Sequence, residues 1–294
     1  MGFDSAYEAI TEENDSQRWA FGTGFTDPLA GVDTSIPAGV DGADLAAYCL
    51  MLGDDALVMS HRLQQWLARA PELEEETALA NIALDLLGQA RLLLARAGAV
   101  DGTGRSEDDY AYFRGEREFR NVRLAEVTDA DFAGLIARLL VFSTWRLALL
   151  ARLARSADPV LAAVAARGVQ ELTYHRDYAA QWMIMLGDGT DYSRERAVAA
   201  LVAVAPLVPE LFEPTAVELR LTAGRVAVDP AQLRGEFADV IAHVLDEATL
   251  DWPTAPGLAG AGGEAGRNGV HTEAMGYVLA ELQSVARANP GATW

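Results

Sequence analysis

Two segments of the chain place acidic residues and possible metal ligands about one helical turn apart. The first reads DLLGQ over residues 85–89, and the second reads ELTYH over residues 171–175. In carboxylate di-iron bundles, Glu-x-x-His motifs on two helices and one Glu from each of two other helices bind a pair of metal ions. Residues i and i+3 share a helix face, so a Glu and a His at this spacing bind the same metal. The pattern is therefore typical of a metal-dependent oxygenase built as a helical bundle.

Most ligand positions of this motif hold residues that do not bind a hard metal ion. The Glu positions are Leu86 and Leu172, one His position is Gln89, and only His175 remains. Leucine offers no ligand atom to iron. The acids that precede the leucines are displaced by one residue, which turns them about 100° around the helix axis. The sequence therefore predicts a degenerate site that holds no metal and contributes no catalytic residue.

The polar residues left at this site need partners. Gln89 and His175 lie on the apolar stripes of their helices, so we expect them to point inward, where a polar group must be hydrogen-bonded. Asn81, Asp85 and Gln89 form an i, i+4, i+8 row, and Glu171 lies beside His175 on the other helix. We predict a buried, metal-free network of hydrogen bonds and ion pairs among these five residues. The alternative is one metal ion bound by His175 with Asp85 or Glu171.

A second candidate site is the segment FRGEREFRNVR, residues 113–123, in which an arginine recurs every third residue. The chain carries a formal net charge of -20, and all of its 23 basic residues are arginine. A local excess of arginine in so acidic a chain suggests recognition of carboxylate or phosphate, which guanidinium binds through paired hydrogen bonds. One interpretation is ion pairing with acids of this chain or of a partner, and the other is a site for a phosphorylated ligand.

Composition excludes several classes of function. The negative charge argues against nucleic acid or an anionic membrane surface as the main partner. The single cysteine, Cys49, excludes an intrachain disulfide and lies on an apolar helical stripe, which indicates a core residue. We find no signal peptide and no run of about 18 apolar residues, so we expect a cytoplasmic protein without a membrane span.

Helical periodicity dominates the chain after its first forty residues. Apolar side chains spaced by three and four residues predict long helices over 43–69, 76–97, 129–155 and 159–186, followed by shorter helices toward the C-terminus. Residues 1–40 are acidic and aperiodic, and we predict a loosely ordered arm there. Residues 41–294 then form one all-α domain, a four-helix bundle with additional C-terminal helices.

Several stretches together resemble the C subunits of the bacterial ring-1,2-phenylacetyl-CoA epoxidases, which are multicomponent oxygenases of phenylacetate breakdown. The similarity extends from about residue 43 to the C-terminus. It is carried by residues 52–93 with their ALANIALDLLGQAR core, by RGEREFRN at 114–121, ELTYH at 171–175, DEATLDWP at 246–253, and GVHTE at 269–273 with the final PGATW.

The resemblance implies a ferritin-like four-helix bundle that is not an enzyme as an isolated chain. It implies pairing with a catalytic A subunit, which carries the di-iron cofactor and epoxidises the ring of phenylacetyl-CoA with oxygen and with electrons from a reductase component. This chain is then expected to hold no cofactor. The resemblance also places the REFRN stretch near the CoA at the interface between the two chains, through Arg117, Glu118, Phe119, Arg120 and Asn121.

Two other functions remain open from the residues. One is an autonomous metalloenzyme with an unusual site centred on His175. The other is a helical scaffold that binds only protein. Metal content separates the metalloenzyme from a structural role in a complex, and binding of CoA at the arginine segment separates a substrate-binding component from a scaffold.

Overall fold

A computed structural model describes residues 29–258 and 264–292. The helical unit extends over Asp33–Trp294, and the following description concerns that unit. Most of the predicted N-terminal arm, residues 1–28, lies outside the described residues, so its state stays a prediction. Within residues 33–40, the carbonyl oxygens of Thr34 and Ser35 accept hydrogen bonds from the guanidinium of Arg96, at 2.6 and 3.2 Å.

Four long helices form the bundle, as the sequence predicted. They are α1 (Gly42–Gln64), α2 (Leu73–Val100), α5 (Phe132–Leu153) and α6 (Pro159–Gly187). Helix α1 packs along α2, α5 packs along α6, and α2 meets α6 across the centre. The hydrogen bonds that join residue 89 to 171 and residue 85 to 175 make α2 and α6 antiparallel. The described residues contain no β-strand, and the all-α prediction is confirmed.

Short helices connect and cover the bundle. Helices α3 (Glu107–Tyr112) and α4 (Arg123–Glu126) lie between α2 and α5, with a 3₁₀ turn at Glu116–Glu118. Helices α7 (Asp191–Val204), α8 (Ala216–Ala223), α9 (Arg234–Glu247) and α10 (Glu273–Ala288) follow α6. The segments that carry proline at 206, 209 and 214 are broken into short turns because proline lacks the N–H that a helix interior requires.

Aspartate side chains begin three of the four long helices, α1, α5 and α6, by accepting hydrogen bonds from free backbone N–H groups. Asp41 caps α1 by accepting from Ala43 N at 2.8 Å. Asp158 caps α6 ahead of a proline at the first helical position. Asp131 caps α5 by accepting from Gly134 N at 2.9 Å, whereas the sequence predicted a helix from residue 129. The helix therefore begins three residues later than expected.

Two of the described helices, α2 and α5, are long and apolar enough to cross a membrane when only length and composition count. A bent pair of segments, Asp191–Leu207 with Pro209–Ala223, passes the same criterion jointly. Both helices carry charged residues, Asp85 in α2 and Arg138 in α5, so neither is an uninterrupted apolar run, and the absence of a membrane span stays a prediction. In the most apolar stretch of α5, 89% of the residues are buried inside the fold, whereas the share in α2 is 44%. Packing inside the bundle accounts for the composition of α5, and α2 leaves Leu73 and Leu84 exposed among polar and small side chains.

Candidate functional site

The four positions of the degenerate metal motif lie between α2 and α6. Leu86, Leu172 and His175 are fully buried, and Gln89 is 3% exposed. The two polar side chains therefore point into the bundle, as their places on apolar stripes led us to expect. The buried leucines fill positions where a di-iron protein has carboxylates, so the space between the helices is apolar at those two points.

Gln89 is the centre of a buried polar network. Its amide nitrogen donates to Glu171 Oε2 at 2.9 Å, and its amide oxygen accepts from Arg146 Nε at 3.0 Å. Arg146 also donates through Nη2 to the carbonyl of Leu52 at 3.2 Å, and Arg167 donates to Glu171 Oε1 at 2.8 Å. Both ends of the Gln89 amide are occupied, so this side chain links a buried cation of α5 to an anion of α6.

His175 belongs to a separate pair. Its Nε2 lies 3.0 Å from Asp85 Oδ2, and the Asp85 side chain is 37% exposed. Within the described residues, His175 Nδ1 has no hydrogen-bond partner. Asn81 does not join either group, because it is exposed to solvent. The predicted i, i+4, i+8 row turns by about 40° at each step of four residues, and this rotation carries Asn81 out of the buried stripe.

These residues do not fit a di-iron pair. Two ligand positions are leucine, the third is an amide with both ends engaged, and Arg146 brings a fully buried guanidinium to the same place. Burial lowers the pKa of Arg146 to about 10, against the opposing effect of Asp55, so Arg146 stays positive at neutral pH. Among the described residues, no group of three or more His, Cys, Asp or Glu side chains is arranged to hold a metal ion.

A glycine makes room for the Gln89 side chain. A Cβ atom at Gly168 would lie 2.5 Å from Leu150 Cδ1 and 3.2 Å from Gln89 Nε2. Gly168 is three residues before Glu171 on α6, so both residues contact the same amide. A side chain at position 168 would therefore displace the link between Gln89 and Glu171.

Half of the arginines in the segment 113–123 are used inside the fold. Arg114 Nη1 lies 2.9 Å from Asp54 Oδ2, and Arg123 Nε lies 2.7 Å from Glu210 Oε2. All four of these side chains are buried. For Arg114 and Arg123, the interpretation as ion pairs with acids of this chain is therefore confirmed.

The other arginines face solvent. Arg117 is exposed, and Arg120 is half-buried with Nη1 donating to the carbonyls of Arg117 and Phe119, at 2.6 and 2.8 Å. Glu118 is exposed and accepts from Gly115 N at 2.7 Å. Phe119 and Asn121 are completely buried, so among the five residues that the resemblance placed near CoA they are the two without a free surface.

Two adjacent buried acids of α1 hold the arginine segment in place, and sequence reasoning missed them. Asp54 Oδ2 accepts from Arg120 N at 2.8 Å, in addition to its ion pair with Arg114. Asp55 Oδ1 accepts from Val122 N at 2.8 Å, and both of its oxygens accept from Arg267. Burial raises the pKa of Asp55, and Arg267 opposes this shift. The available signal was a pair of acids inside an otherwise apolar helical stripe.

A buried histidine joins the same segment to the start of α10. His271 Nδ1 lies 2.7 Å from Glu126 Oε2, and His271 Nε2 lies 3.2 Å from the carbonyl of Phe119. Both neighbours are acceptors, so the contacts favour the doubly protonated imidazolium. Burial alone lowers the pKa of His271, but Glu126 and the Phe119 carbonyl together raise it above the usual value. These contacts connect the arginine segment and α4 to a residue just before α10.

A small recess adjoins the exposed part of the arginine segment. Its volume is about 300 Å³, and its lining includes Arg105, Asp109, Phe113, Arg114 and Glu118. Phe113 is 46% exposed there. The recess therefore combines an accessible aromatic ring with charges of both signs.

Comparison with known proteins places these features in a family. Residues 33–294 match the family described as phenylacetic acid catabolic protein. The C subunit of the 1,2-phenylacetyl-CoA epoxidase from Escherichia coli (strain K12) is 41% identical over 250 residues, which cover 85% of this chain and 99% of that protein. The stretches that carried the resemblance in the sequence therefore reflect a relationship over most of the chain.

Proposed function

This chain belongs to the phenylacetic acid catabolic protein family, and we propose that it is the non-catalytic C subunit of a 1,2-phenylacetyl-CoA epoxidase. In this proposal it supports a di-iron catalytic A subunit in a hetero-oligomer that epoxidises the ring of phenylacetyl-CoA, and it holds no cofactor itself. The observation that carries the proposal is the polar link from Arg146 through Gln89 to Glu171, in the place where a catalytic bundle needs ligands.

Electrostatics supports a structural role. A positive guanidinium at the centre of the bundle repels a metal cation, and no carboxylate from positions 86 or 172 is present to offset that repulsion. The oxygen chemistry must then belong to another chain. In this proposal, a homologous but non-catalytic bundle contributes to the oxygenase by completing the hetero-oligomer and by contacting the substrate site of the catalytic subunit.

The proposal includes a contribution to CoA binding. The CoA end of the substrate carries several phosphate charges, and a strongly acidic protein repels such a ligand unless a local cationic surface offsets the repulsion. Asp54 and Glu210 already neutralise two arginines of the segment. Arg117 and Arg120 are the remaining candidates, and Arg105 and Phe113 extend this surface into the adjoining recess.

Co-expression with a candidate catalytic subunit, followed by size exclusion and metal analysis of each chain, tests the main proposal. We expect a stable complex, with iron in the partner and no stoichiometric iron in this chain. Two irons bound to this chain and lost on His175→Ala would support the autonomous metalloenzyme instead. A stable monomer that ignores the catalytic subunit at micromolar concentration would also contradict the proposal.

Arg117→Ala and Arg120→Ala test the substrate contact. We expect each to raise the apparent KM for phenylacetyl-CoA by about tenfold or more with assembly intact, because a hydrogen bond to a charged group contributes about 1.5–3 kcal/mol. Arg155→Ala, an exposed arginine at the end of α5, is the matched control and should leave KM unchanged. Normal KM in both variants would favour a scaffold that binds only protein, and failure of both to assemble would assign the segment to the interface with the partner.

A further inference from the structure

The guanidinium of Arg120 is held in one orientation by its own segment of the chain. Its Nη1 donates to the carbonyls of Arg117 and Phe119, at 2.6 and 2.8 Å. The side chain is half-buried, so the rest of the guanidinium is accessible. An arginine normally loses rotamer freedom when it binds a ligand. Because Arg120 loses this freedom on folding, its side chain is preorganised for a ligand.

The backbone of Arg120 is also fixed, on both sides of the residue. Its N–H donates to Asp54 Oδ2 at 2.8 Å, and its carbonyl accepts from Arg267 Nη1 at 2.7 Å. Asp54 forms a buried ion pair with Arg114, and Arg267 forms one with Asp55. The position of Arg120 is therefore set by two ion pairs inside the fold.

A glycine turn just before α10 lies against the Arg120 side chain. Gly269 has a φ of +78°, and a Cβ atom there would lie 2.3 Å from the carbonyl oxygen of Arg117 and 2.8 Å from Arg120 Nη1. Only a residue without a side chain fits against both atoms. Gly269 therefore keeps Nη1 against the two carbonyls, and the opposite edge of the guanidinium is left for other contacts.

The opposite edge consists of Nε and Nη2. Within the described residues, neither of these two atoms has a hydrogen-bond or ion-pair partner. Such an edge presents two parallel N–H groups, which match two oxygens of a carboxylate or a phosphate. The same edge of Arg220 binds Asp44 in this way, at 2.7 Å from Nε and 2.6 Å from Nη2. Arg120 therefore offers a two-point binding site to an anion from outside the chain.

The charge near this edge suits a phosphate better than a carboxylate. Arg117 is exposed, and in the described part of the chain its guanidinium has no ion-pair partner. A phosphate monoester carries a charge of about -1.5 to -2 at neutral pH, whereas a carboxylate carries a single charge. Of the neighbouring acids, Glu118 is engaged with Gly115 N at 2.7 Å, and Glu116 is exposed and offsets part of the positive charge.

We propose that the Nε–Nη2 edge of Arg120 binds a phosphate group of the CoA end through two hydrogen bonds, and that Gly269 positions this edge. The inference rests on the proposed function and assigns different roles to the two arginines. Arg120 contributes the fixed geometry of its guanidinium, whereas Arg117 contributes only its charge. Lysine preserves the charge of either residue but cannot form the paired hydrogen bonds.

Replacing each arginine by lysine tests this difference in the complex with the candidate catalytic subunit. We expect Arg120→Lys to raise the apparent KM for phenylacetyl-CoA by about tenfold or more with kcat unchanged, because the paired hydrogen bonds are lost. Arg117→Lys is the matched control and should leave KM unchanged. Equal KM in the two lysine variants overturns the inference, and the proposed function stands if Arg120→Ala still raises KM.

Gly269→Ala tests the positioning role. The added Cβ displaces Arg120 Nη1, so we expect KM to rise by about tenfold with kcat unchanged. The double variant Gly269→Ala with Arg120→Ala should have the same KM as Arg120→Ala, because Gly269 acts through Arg120. Gly39→Ala is the matched control, since Gly39 has a φ of +79° and a Cβ there meets nothing within 4 Å. Equal KM in the two single glycine variants overturns the positioning role, and if Gly269→Ala does not assemble, the lysine pair decides the inference.

Phenylacetyl-dephospho-CoA, which lacks the 3′-phosphate, distinguishes the phosphate groups of the substrate. If native chain and Arg120→Lys have equal KM for this substrate, the edge binds the 3′-phosphate. If the difference persists, the edge binds the pyrophosphate, and both results agree with the inference. Weaker association of Arg120→Lys with the catalytic subunit at an unchanged KM assigns the edge to a carboxylate of the partner and overturns the inference. An unchanged KM of Arg120→Ala removes the inference together with the proposed CoA contact.

Discussion

Replacing Gln89 by leucine tests whether the bundle centre is a polar network that stands in place of a metal site. The substitution removes the acceptor of Arg146 Nε and the donor of Glu171 Oε2. Arg146 is fully buried, and in the described part of the chain its Nη1 already lacks a partner, so only the contact from Nη2 to the Leu52 carbonyl would remain. Glu171 keeps Arg167 and partial access to solvent.

The magnitude follows from these contacts. A hydrogen bond to a charged group contributes about 1.5–3 kcal/mol, and leaving a buried charge without its partner costs about 3–5 kcal/mol. Glu171 is partly compensated, so the penalty falls mainly on Arg146, and we expect Gln89→Leu to lower the free energy of unfolding by about 3 kcal/mol. Replacing Arg146 as well removes the buried charge that Gln89→Leu leaves without a hydrogen-bond acceptor at Nε. The double variant Gln89→Leu with Arg146→Met should therefore be more stable than Gln89→Leu alone.

Urea denaturation of the four proteins of this double-mutant cycle measures the coupling between the two positions. We expect a coupling energy of about 2 kcal/mol or more. Gln181→Leu, an exposed glutamine of α6, is the matched control and should change stability by less than about 0.5 kcal/mol. A loss below about 1 kcal/mol for Gln89→Leu, or strict additivity in the double variant, would show that the link is energetically unimportant and refute the reasoning.

Three further predictions concern the surroundings of the site. Gly168→Ala should lower the free energy of unfolding, measured by urea denaturation, by about 1–3 kcal/mol because of overpacking. Gly88→Ala is the control, because a Cβ there meets nothing within 4 Å, and it should raise stability by up to about 1 kcal/mol. An unchanged stability of Gly168→Ala would contradict the contact with Gln89. Asp54→Ala should cost about 3–5 kcal/mol and speed hydrogen exchange over residues 114–121, whereas slow exchange there would mean that Asp54 does not hold the segment. The pKa of His271 in the folded state lies above its unfolded value of about 6.5, so its contribution to stability is fully present below that pH and is lost as pH rises through the folded pKa. The stability difference between the native chain and His271→Gln should therefore be larger at pH 6 than at pH 9. A difference that grows with pH would be evidence against the imidazolium.

Sequence patterns within single helices were sufficient for the architecture and for the missing ligands. The three- and four-residue spacing of apolar side chains predicted the four long helices to within a few residues at most ends, and it placed Gln89 and His175 inside. The absence of ligands at Leu86 and Leu172 is a property of residue type and needs no coordinates. Family membership also followed from local stretches, and the comparison over residues 33–294 confirmed it.

Tertiary packing alone decided which charges meet. Arg146 is 57 residues from Gln89, and Arg267 is 212 residues from Asp55, so no periodicity within one helix predicts either contact. The same limit explains the arginine segment, where equal spacing gave no sign that Arg114 and Arg123 are buried ion pairs while Arg117 is exposed. Helical spacing fixes the direction of a side chain relative to its own axis. The side chain that it meets depends on how separate helices pack, because apolar burial drives that packing without specifying polar partners.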